Sequence, residues 1–405
     1  MTHSSSWLPT KQEIYSYATA ENLGAHAARA LPFLRRKYRW RALLLLLPAM
    51  IEFPYFLYLT MTRGAPRRYA FLNKRSLGIL NTTAGQQTLV IGSLIELPIA
   101  WRKGALWVPV SGLYIALAWS KWTTQGDLPW AARHLMNALC RALASRLSGN
   151  GWLITHSDAL PLARALAAIA RHIGARTCCV AHGIFHEQFP LPEIDGSRSD
   201  VNVVHSETDA RIIQRANPRS IMLIEPELFR PPRPRTVSTQ LRVSLIGEAW
   251  HTCDKAFDRL HLGRLREFEA ALIRERIEVS FRPHPSERYR AWLYGFRRLD
   301  FGSKHRAFER FNVFIGYAST LLNEADAVGH LAIQLVHPGH VTPMIVRDKG
   351  REIPRVQTPE ALLDVLTRAR QFRSDIPPEA ESDRALAVAR VLAALRGTGG
   401  LPSCP

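Results

Sequence analysis

The chain has 405 residues, enough for two or three domains with buried cores. It carries 53 Lys and Arg against 34 Asp and Glu, a formal net charge of +19, which favours polyanions or an anionic membrane surface. Nucleic acid is not the expected partner, because zinc-finger spacing, a recognition-helix pattern and basic–aromatic interleaving are all missing from the sequence. The five cysteines show no Cys-x-x-Cys spacing and predict reduced thiols in the cytoplasm.

The amino-terminal part of the chain falls into two regions. Residues 1–34 predict a polar start followed by one amphipathic helix, and residues 35–129 form an apolar and basic region that we expect to associate with a membrane. Five basic and two aromatic residues, at 35–41, precede the apolar segment 42–62, which has about the length needed to span a bilayer. Glu52 lies in the middle of that segment and opposes insertion, since a buried acid costs about 2.5–3.5 kcal/mol. Membrane attachment of residues 35–62, spanning or monotopic, is the prediction.

Two more apolar stretches, 88–100 and 105–120, follow in the same region. Tryptophans and tyrosines stand beside basic residues there, as in the aromatic belts of interfacial proteins. Three interpretations stay open for these stretches: transmembrane spans, a platform lying in the headgroups, or buried elements of a globular domain.

From Trp130 onwards the sequence alternates regularly between helical and strand patterns, and residues 130–230 predict a first Rossmann-like half-domain. Its βαβ order implies parallel strands with right-handed crossovers. The predicted strands are 152–155, 177–181, 201–204 and 221–224, and the predicted helices are 130–147, 158–173 and 207–216.

Residues 231–240 predict a proline-rich linker, and the alternation restarts over 241–396 as a second Rossmann-like half-domain. The tail 397–405 is predicted to be disordered. The expected fold class is therefore α/β, with two half-domains facing a central ligand cleft. Strands are predicted at 243–246, 279–281, 312–315 and 331–336, and helices at 255–274, 321–328, 359–369 and 385–395.

A phosphate site is predicted where the strands of the second half-domain end. Prolines stop the strand that precedes Arg282 and His284, with Pro285 directly after the histidine. Ser319 and Thr320 follow the next predicted strand and can cap a helix. Because ligands bind at the carboxyl ends of strands and helix starts attract anions, these cationic and hydroxyl groups predict a site for phosphate.

Three further residues belong to this predicted site. Gly247 and Glu248 end the first strand of the second half-domain, where a glycine turn often faces a nucleotide. Glu324 lies one helical turn beyond Thr320, and its carboxylate is suited either to ribose hydroxyls or to a salt bridge on the helix surface.

The first half-domain offers a candidate general base. His182 and Gly183 follow a predicted strand, and His186 and Glu187 come in the same loop. A metal site is the less favoured interpretation, because His-x-x-x-His-Glu in a loop lacks helical spacing. His156 and Asp158 follow the preceding strand and could line the same cleft, although Asp158 serves equally well as a helix cap.

Several common motifs are missing from the sequence. It contains no Walker A lysine loop, no G-x-G-x-x-G and no G-x-S-x-G. We therefore do not expect a P-loop ATPase, a simple NAD enzyme or a hydrolase with the usual nucleophile elbow.

His182-Gly183, Arg282-Pro283-His284-Pro285 and Ser319-Thr320 with Glu324 resemble the motifs of GT-B glycosyltransferases that build bacterial surface polysaccharides. The nearest types are the CMP-sugar sialyltransferases and Kdo transferases, and the CDP-glycerol glycerophosphotransferases of teichoic-acid synthesis are similar. The resemblance covers roughly residues 150–370. The sialyltransferases carry an acidic pair followed by glycine at the base position, where this chain has His-Gly instead.

The resemblance implies roles for these residues. His284 would contact the donor phosphate, Ser319 and Thr320 would support it, and His182 or Glu187 would deprotonate the acceptor. The implied enzyme is a metal-independent glycosyltransferase without cofactor, using a nucleotide-sugar donor, with a CMP-linked sialic acid or Kdo as first choice. A surface-glycan or lipid-linked acceptor at the cytoplasmic face of the inner membrane is expected. The alternatives are a CDP-polyol or CDP-glycerol phosphotransferase and a non-catalytic membrane-associated scaffold.

Overall fold

The computed structural model describes most of the chain in two separate units. The described residues are 7–9, 43–73, 76, 87–120, 128–158, 160–181, 196, 198–229, 240–248, 250, 255–340, 353–372 and 384–397. The first unit comprises Met1–Leu228 with Ala385–Pro405, and the second comprises Phe229–Arg384. The predicted helix within 1–34, nearly all of the linker 231–240 and the tail from 398 lie outside the described residues.

The first unit is built on a seven-stranded parallel sheet of order β3-β2-β1-β4-β5-β6-β7. Strands β2 and β3 lie on one side of β1, and the next strand in the chain, β4, lies on the other side of β1. This reversal leaves a crevice at the carboxyl ends of β1 and β4, where ligands of such sheets bind. The strands are β1 (Arg67–Leu72), β2 (Thr88–Gly92), β3 (Leu106–Pro109), β4 (Leu147–Thr155), β5 (Arg176–Val180), β6 (Val201–Val204) and β7 (Ile221–Ile224).

Helices cover both faces of this sheet and close its core. Amphipathic patterns place their apolar sides inward, as in α5, where seven of twelve residues are buried. The helices are α1 (Leu46–Met61), α2 (Leu97–Arg102), α3 (Ser111–Ser120), α4 (Trp130–Ala144), α5 (Pro161–His172), α6 (Glu207–Ala216), α7 (Pro226–Phe229) and α12 (Arg384–Gly397).

The strands within the apolar stretches 88–100 and 105–120 are core elements of this unit. All five residues of β2 are buried, and β3 pairs with β2 in parallel register. Of the three interpretations left open by the sequence, buried elements of a globular domain applies to these strands, whereas Ile95 and Leu97 between them are exposed. Among the described residues, no helix combines the length and apolar character needed to cross a membrane. The unit thus takes in residues that the sequence analysis set apart as 35–129.

Glu52 explains why an acid lies in the middle of the apolar helix α1. Its carboxylate accepts hydrogen bonds from the Leu94 N–H at 2.8 Å and from the Ser111 N–H and hydroxyl at 3.1 and 2.8 Å. Ser111 begins α3, and the amino end of a helix favours a negative charge. Burial raises the pKa of Glu52, while these bonds oppose the rise. The acid therefore fastens α1 to the segment after β2 and to the start of α3.

The carboxyl-terminal helix α12 packs on the first unit, whereas the sequence analysis assigned residues 385–395 to the second half-domain. The Trp152 indole N–H donates to the Leu395 carbonyl at 3.0 Å. Arg390 pairs with Glu225 at 2.7 Å, also within this unit. A helical pattern identifies α12 but does not say which sheet it covers.

The second unit holds a five-stranded parallel sheet of order β12-β11-β10-β8-β9. Its strand order reverses between β8 and β10, which places a second crevice at their carboxyl ends. The strands are β8 (Arg242–Ile246), β9 (Glu278–Arg282), β10 (Val313–Gly316), β11 (Leu331–Leu335) and β12 (Arg355–Val356), and the helices are α8 (Lys255–Arg274), α9 (Lys304–Arg310), α10 (Thr320–Ala327) and α11 (Pro359–Phe372).

Candidate nucleotide site in the second unit

Three sequence-predicted segments end at one edge of the second sheet. Strands β10, β8 and β9 are neighbours and run in parallel, so their carboxyl ends lie side by side. Gly247 follows β8, the Arg-Pro-His-Pro segment ends β9, and Ser319 with Thr320 follows β10. The topology thus gathers the predicted phosphate ligands at the strand-order reversal.

Gly247 is required by close packing between the end of β8 and the turn after β9. A Cβ at this position would lie 2.7 Å from the Glu287 carboxylate, 2.7 Å from the Phe281 ring and 3.1 Å from the His284 nitrogen. The Gly247 N–H donates to the Arg282 carbonyl at 2.8 Å, which holds the two segments together. No larger residue fits without displacing them.

The Glu248 carboxylate bridges β8 to the start of α10. One oxygen accepts from the N–H groups of Tyr317 and Ala318, both at 2.7 Å, and the other accepts from the Trp250 indole at 2.8 Å. Burial raises the pKa of Glu248 to about 7, although these hydrogen bonds oppose the rise. Glu248 therefore titrates near neutral pH and takes up two of the N–H groups that precede the helix.

The start of α10 has backbone N–H groups that can donate hydrogen bonds to an anion. Ser319 caps the helix, its hydroxyl accepting from the Leu321 N–H at 3.2 Å and its carbonyl from the Leu322 N–H at 3.1 Å. Among the hydrogen bonds within the described residues, none uses the N–H groups of Ser319 and Thr320. These two N–H groups, at the positive end of the helix, are suited to phosphate oxygens.

His284 presents a defined donor. The Ser286 N–H, which can only donate, lies 3.2 Å from His284 Nδ1. Nδ1 therefore accepts, and in the neutral ring the proton resides on Nε2. The His284 backbone N–H donates to Glu287 at 3.0 Å, which fixes the turn. The imidazole and the following Pro285 are both exposed.

Arg282 has a buried partner of its own. Its guanidinium pairs with Asp300 at 2.5 Å, and both side chains are at most one-tenth exposed. The Asp300 N–H also donates to the Phe281 carbonyl at 2.8 Å, so this pair anchors the end of β9. The ion pair accounts for the burial of Arg282 without a ligand, and its role toward phosphate stays a prediction.

Glu324 makes the salt bridge that was one of its two predicted roles. Both of its carboxylate oxygens lie 2.9 Å from the Lys304 ammonium group on α9. Binding of a ribose by Glu324 stays a prediction.

Aromatic rings and two histidines pack behind this edge. His261 Nδ1 lies 3.0 Å from His337 Nε2, and the Phe257 and Tyr317 rings lie 5.1 Å apart. Burial lowers the pKa of His261 to about 3 and that of His337 to about 4, so both are neutral at physiological pH. Within the described part of the chain, no cluster of His, Cys, Asp or Glu is placed to hold a metal ion.

The crevice of the first unit contains His156, directly after β4. Its Nδ1 lies 3.4 Å from the amide nitrogen of Asn73 and 3.4 Å from the Ser76 hydroxyl, both just after β1. Asn73 and Ser76 were not predicted as site residues, because β1 was hidden inside the region that was expected to associate with a membrane. An asparagine after a buried strand was the available signal, and it has the left-handed φ of 64° that asparagine tolerates.

Asp158 has a structural part to play in this unit. Its carboxylate accepts from the Gly196 and Arg198 N–H groups at 2.6 and 3.1 Å and from the Ser199 hydroxyl at 2.7 Å. The predicted base residues His182, Gly183, His186 and Glu187 lie outside the described residues.

No family model and no curated protein matches the sequence. Solved structures do match. A Listeria monocytogenes protein assigned as a UDP-N-acetylglucosamine 2-epimerase is 12% identical with a TM-score of 0.53, over 84% of this chain and 99% of that one. The wall teichoic acid polymerase TagF, solved with CDPG, is 10% identical with a TM-score of 0.52, over 90% and 98%.

A third match is the UDP-N-acetylglucosamine 2-epimerase from Rickettsia bellii, with 12% identity, a TM-score of 0.50 and coverage of 83% and 97%. At these identities the likeness establishes the fold alone. The chain therefore has the GT-B fold, and the predicted fold class of two Rossmann-like half-domains is confirmed.

Proposed function

We propose that the chain is a GT-B glycosyltransferase that binds a nucleotide-sugar donor at the carboxyl edge of the second sheet. The observation that carries the proposal is the convergence there of a glycine turn, the His284 donor and the start of α10. His284 and the start of α10 favour a diphosphate or monophosphate ester, because both present N–H groups to an anion, and the Gly247 turn packs the end of β8 against the segment that carries His284.

In this proposal the site stabilises the departing nucleotide. Negative charge develops on the leaving phosphate as the anomeric bond breaks, and preorganised donors lower that barrier most. The Ser319 and Thr320 N–H groups and His284 Nε2–H supply this stabilisation without a metal. His182 or Glu187 removes the proton from the acceptor hydroxyl. The donor is CMP-linked, and the acceptor is a surface-glycan or lipid-linked precursor at the cytoplasmic membrane face.

The test is a thermal-shift screen of CMP, CDP, UDP and GDP. The proteins are the wild type, His284→Ala and the control His305→Ala, whose ring pairs with Glu309 on the exposed side of α9. One nucleotide should stabilise the wild type and the control and lose its effect in His284→Ala. Indifference of all three proteins to all four nucleotides would overturn the proposal.

A CDP-polyol or CDP-glycerol phosphotransferase is the second candidate. It is favoured by the likeness to TagF, which spans 98% of that chain, together with the Arg-Pro-His-Pro resemblance. A shift with CDP alone, followed by polyol-phosphate transfer, would select this candidate. A response to UDP alone would instead favour a UDP-sugar enzyme, the class named for the two epimerases of the same fold.

A turnover assay distinguishes the non-catalytic scaffold from an enzyme. Nucleotide binding that survives His182→Ala, with no product from either protein under any donor, would favour a scaffold over an enzyme.

A further inference from the structure

Helix α1 has an unusual distribution of charge. Its sixteen residues include one charged side chain, Glu52, and this carboxylate is 3% exposed because it binds Leu94 and Ser111 inside the unit. The outward side of the helix therefore carries no charge. A surface helix of a soluble domain normally places charged and polar residues on that side.

The outward side of α1 is instead a continuous apolar stripe. Its exposed residues recur at helical spacing, and the exposed fractions are 66% for Leu47, 72% for Met50, 58% for Ile51, 55% for Tyr58 and 73% for Met61. From the first to the last of these, the stripe is about 21 Å long. Exposed apolar surface of this extent marks an interaction site.

A second exposed segment begins beside the middle of α1. The Glu52–Leu94 hydrogen bond holds the start of this segment, and within it Ile95 is 63% and Trp101 83% exposed. Arg102 follows Trp101 directly, and Arg63 follows the end of α1, both exposed. We call the α1 stripe, together with the exposed residues Ile95 and Trp101 of this second segment, the α1 face. The exposed charged residues that follow the two segments in the chain, Arg63 and Arg102, are cationic, and we refer to them as its rim; the one acid in the second segment, Glu96, is buried.

We propose that the α1 face docks the protein into the headgroup layer of an anionic bilayer, with α1 lying in the plane of the membrane. Apolar surface with a cationic rim provides the two attractions that stable peripheral binding requires. Exposed tryptophan and tyrosine are typical of the membrane interface. The helix itself is about 24 Å long, shorter than the hydrocarbon core of about 30 Å.

Charge favours the bilayer over a second copy of the chain. A two-fold contact through the α1 face would bring together two chains that each carry a net charge of +19. Anionic headgroups neutralise the same rim. The inference deepens the proposed action at a membrane face, but lipid binding by α1 does not require the nucleotide site to work.

The test is flotation of the full chain with vesicles of phosphatidylcholine alone or mixed with phosphatidylglycerol. The wild type should float with the mixed vesicles, less at high salt. The double variant Met50→Glu with Met61→Glu should bind at least about tenfold more weakly, since two apolar contacts are replaced by charges. The matched control Leu293→Glu, at a residue 62% exposed in the second unit, should bind as the wild type does.

Light scattering and the nucleotide screen complete the experiment. Failure of the wild type to float with the mixed vesicles would overturn the inference. This holds whether light scattering shows a monomer or a dimer that Met50→Glu dissociates. Equal binding by the double variant would overturn it as well. Loss of nucleotide binding with flotation intact would count against the enzyme alone, so the two proposals fail separately.

Discussion

Replacing Glu248 by glutamine tests the most unusual titration in the second unit. The pKa of this carboxyl rises from 4.5 to about 7 because burial disfavours its charged form. The native state therefore holds a proton between pH 4.5 and 7 that the unfolded chain releases. Stability consequently falls as the pH rises through this window, by about 3 kcal/mol in total at 1.36 kcal/mol per pKa unit.

Glutamine removes this dependence at a known structural cost. Its amide oxygen can still accept from the Tyr317 and Ala318 N–H groups, but its NH₂ group would face the Trp250 indole N–H. The lost hydrogen bond costs about 1 kcal/mol. We therefore expect Glu248→Gln to be less stable than the wild type at pH 5 and more stable at pH 8.

Urea unfolding of both proteins at pH 5, 6, 7 and 8 measures the difference, and subtraction cancels groups that titrate alike in both. A difference constant with pH to within about 0.5 kcal/mol would refute the reasoning, since it would mean that Glu248 is ionised throughout. Retention of nucleotide binding by the variant would further assign Glu248 to the architecture of the site.

Four other substitutions test individual positions by urea unfolding. Gly247→Ala should destabilise the protein by about 2 kcal/mol through its clash at 2.7 Å, whereas Gly263→Ala, with nothing within 4 Å on α8, should stabilise it by up to about 1 kcal/mol. Trp152→Phe removes the hydrogen bond to α12 and should cost about 1–3 kcal/mol; a loss below 0.3 kcal/mol would contradict that contact. Asp300→Asn strands the buried Arg282 charge and should cost about 3 kcal/mol, and an unchanged midpoint would rule the ion pair out.

Most elements of the second unit could be predicted from the sequence because each level of pattern agrees there, although the short helix α9, Lys304–Arg310, was not predicted. Helix α8, Lys255–Arg274, has the bounds that its periodicity predicts. The strands of the second unit are short apolar runs that end at glycine or proline. These end residues distinguish the strands from helices even where both faces of the sheet are buried. Strand β12, Arg355–Val356, was missed because two residues carry no period.

The first three strands were hidden for a physical reason. A parallel strand covered by helices on both faces loses the alternation of polar and apolar residues and becomes a continuous apolar run. In Thr88–Gly92 every residue is buried, so its composition resembles that of a membrane segment. Neighbouring helices of similar composition lengthen the run, and periodicity alone cannot separate the two cases.

The site was predictable only in its local features. The helix cap at Ser319 and the glycine turn at Gly247 follow from local chain geometry. The use of the Glu248 carboxylate depends on a contact with Tyr317, 69 residues further along the chain, and Arg282 finds Asp300 across 18 residues. Such pairings arise from the strand order of the sheet, which a single sequence does not specify.

Glu52 favours opposite conclusions about membrane contact when it is considered in the sequence and when it is considered in the fold. In the sequence it argues against membrane insertion, since it interrupts an apolar run with a charge. In the fold its three hydrogen bonds hold the helix in one rotational setting, and that setting turns the polar side inward and the apolar side outward. An acid that opposes insertion of α1 across a bilayer is thus the same group that would present α1 to the bilayer surface. The mean hydropathy of the segment does not predict which side of α1 faces outward, because that depends on the direction of the Glu52 carboxylate.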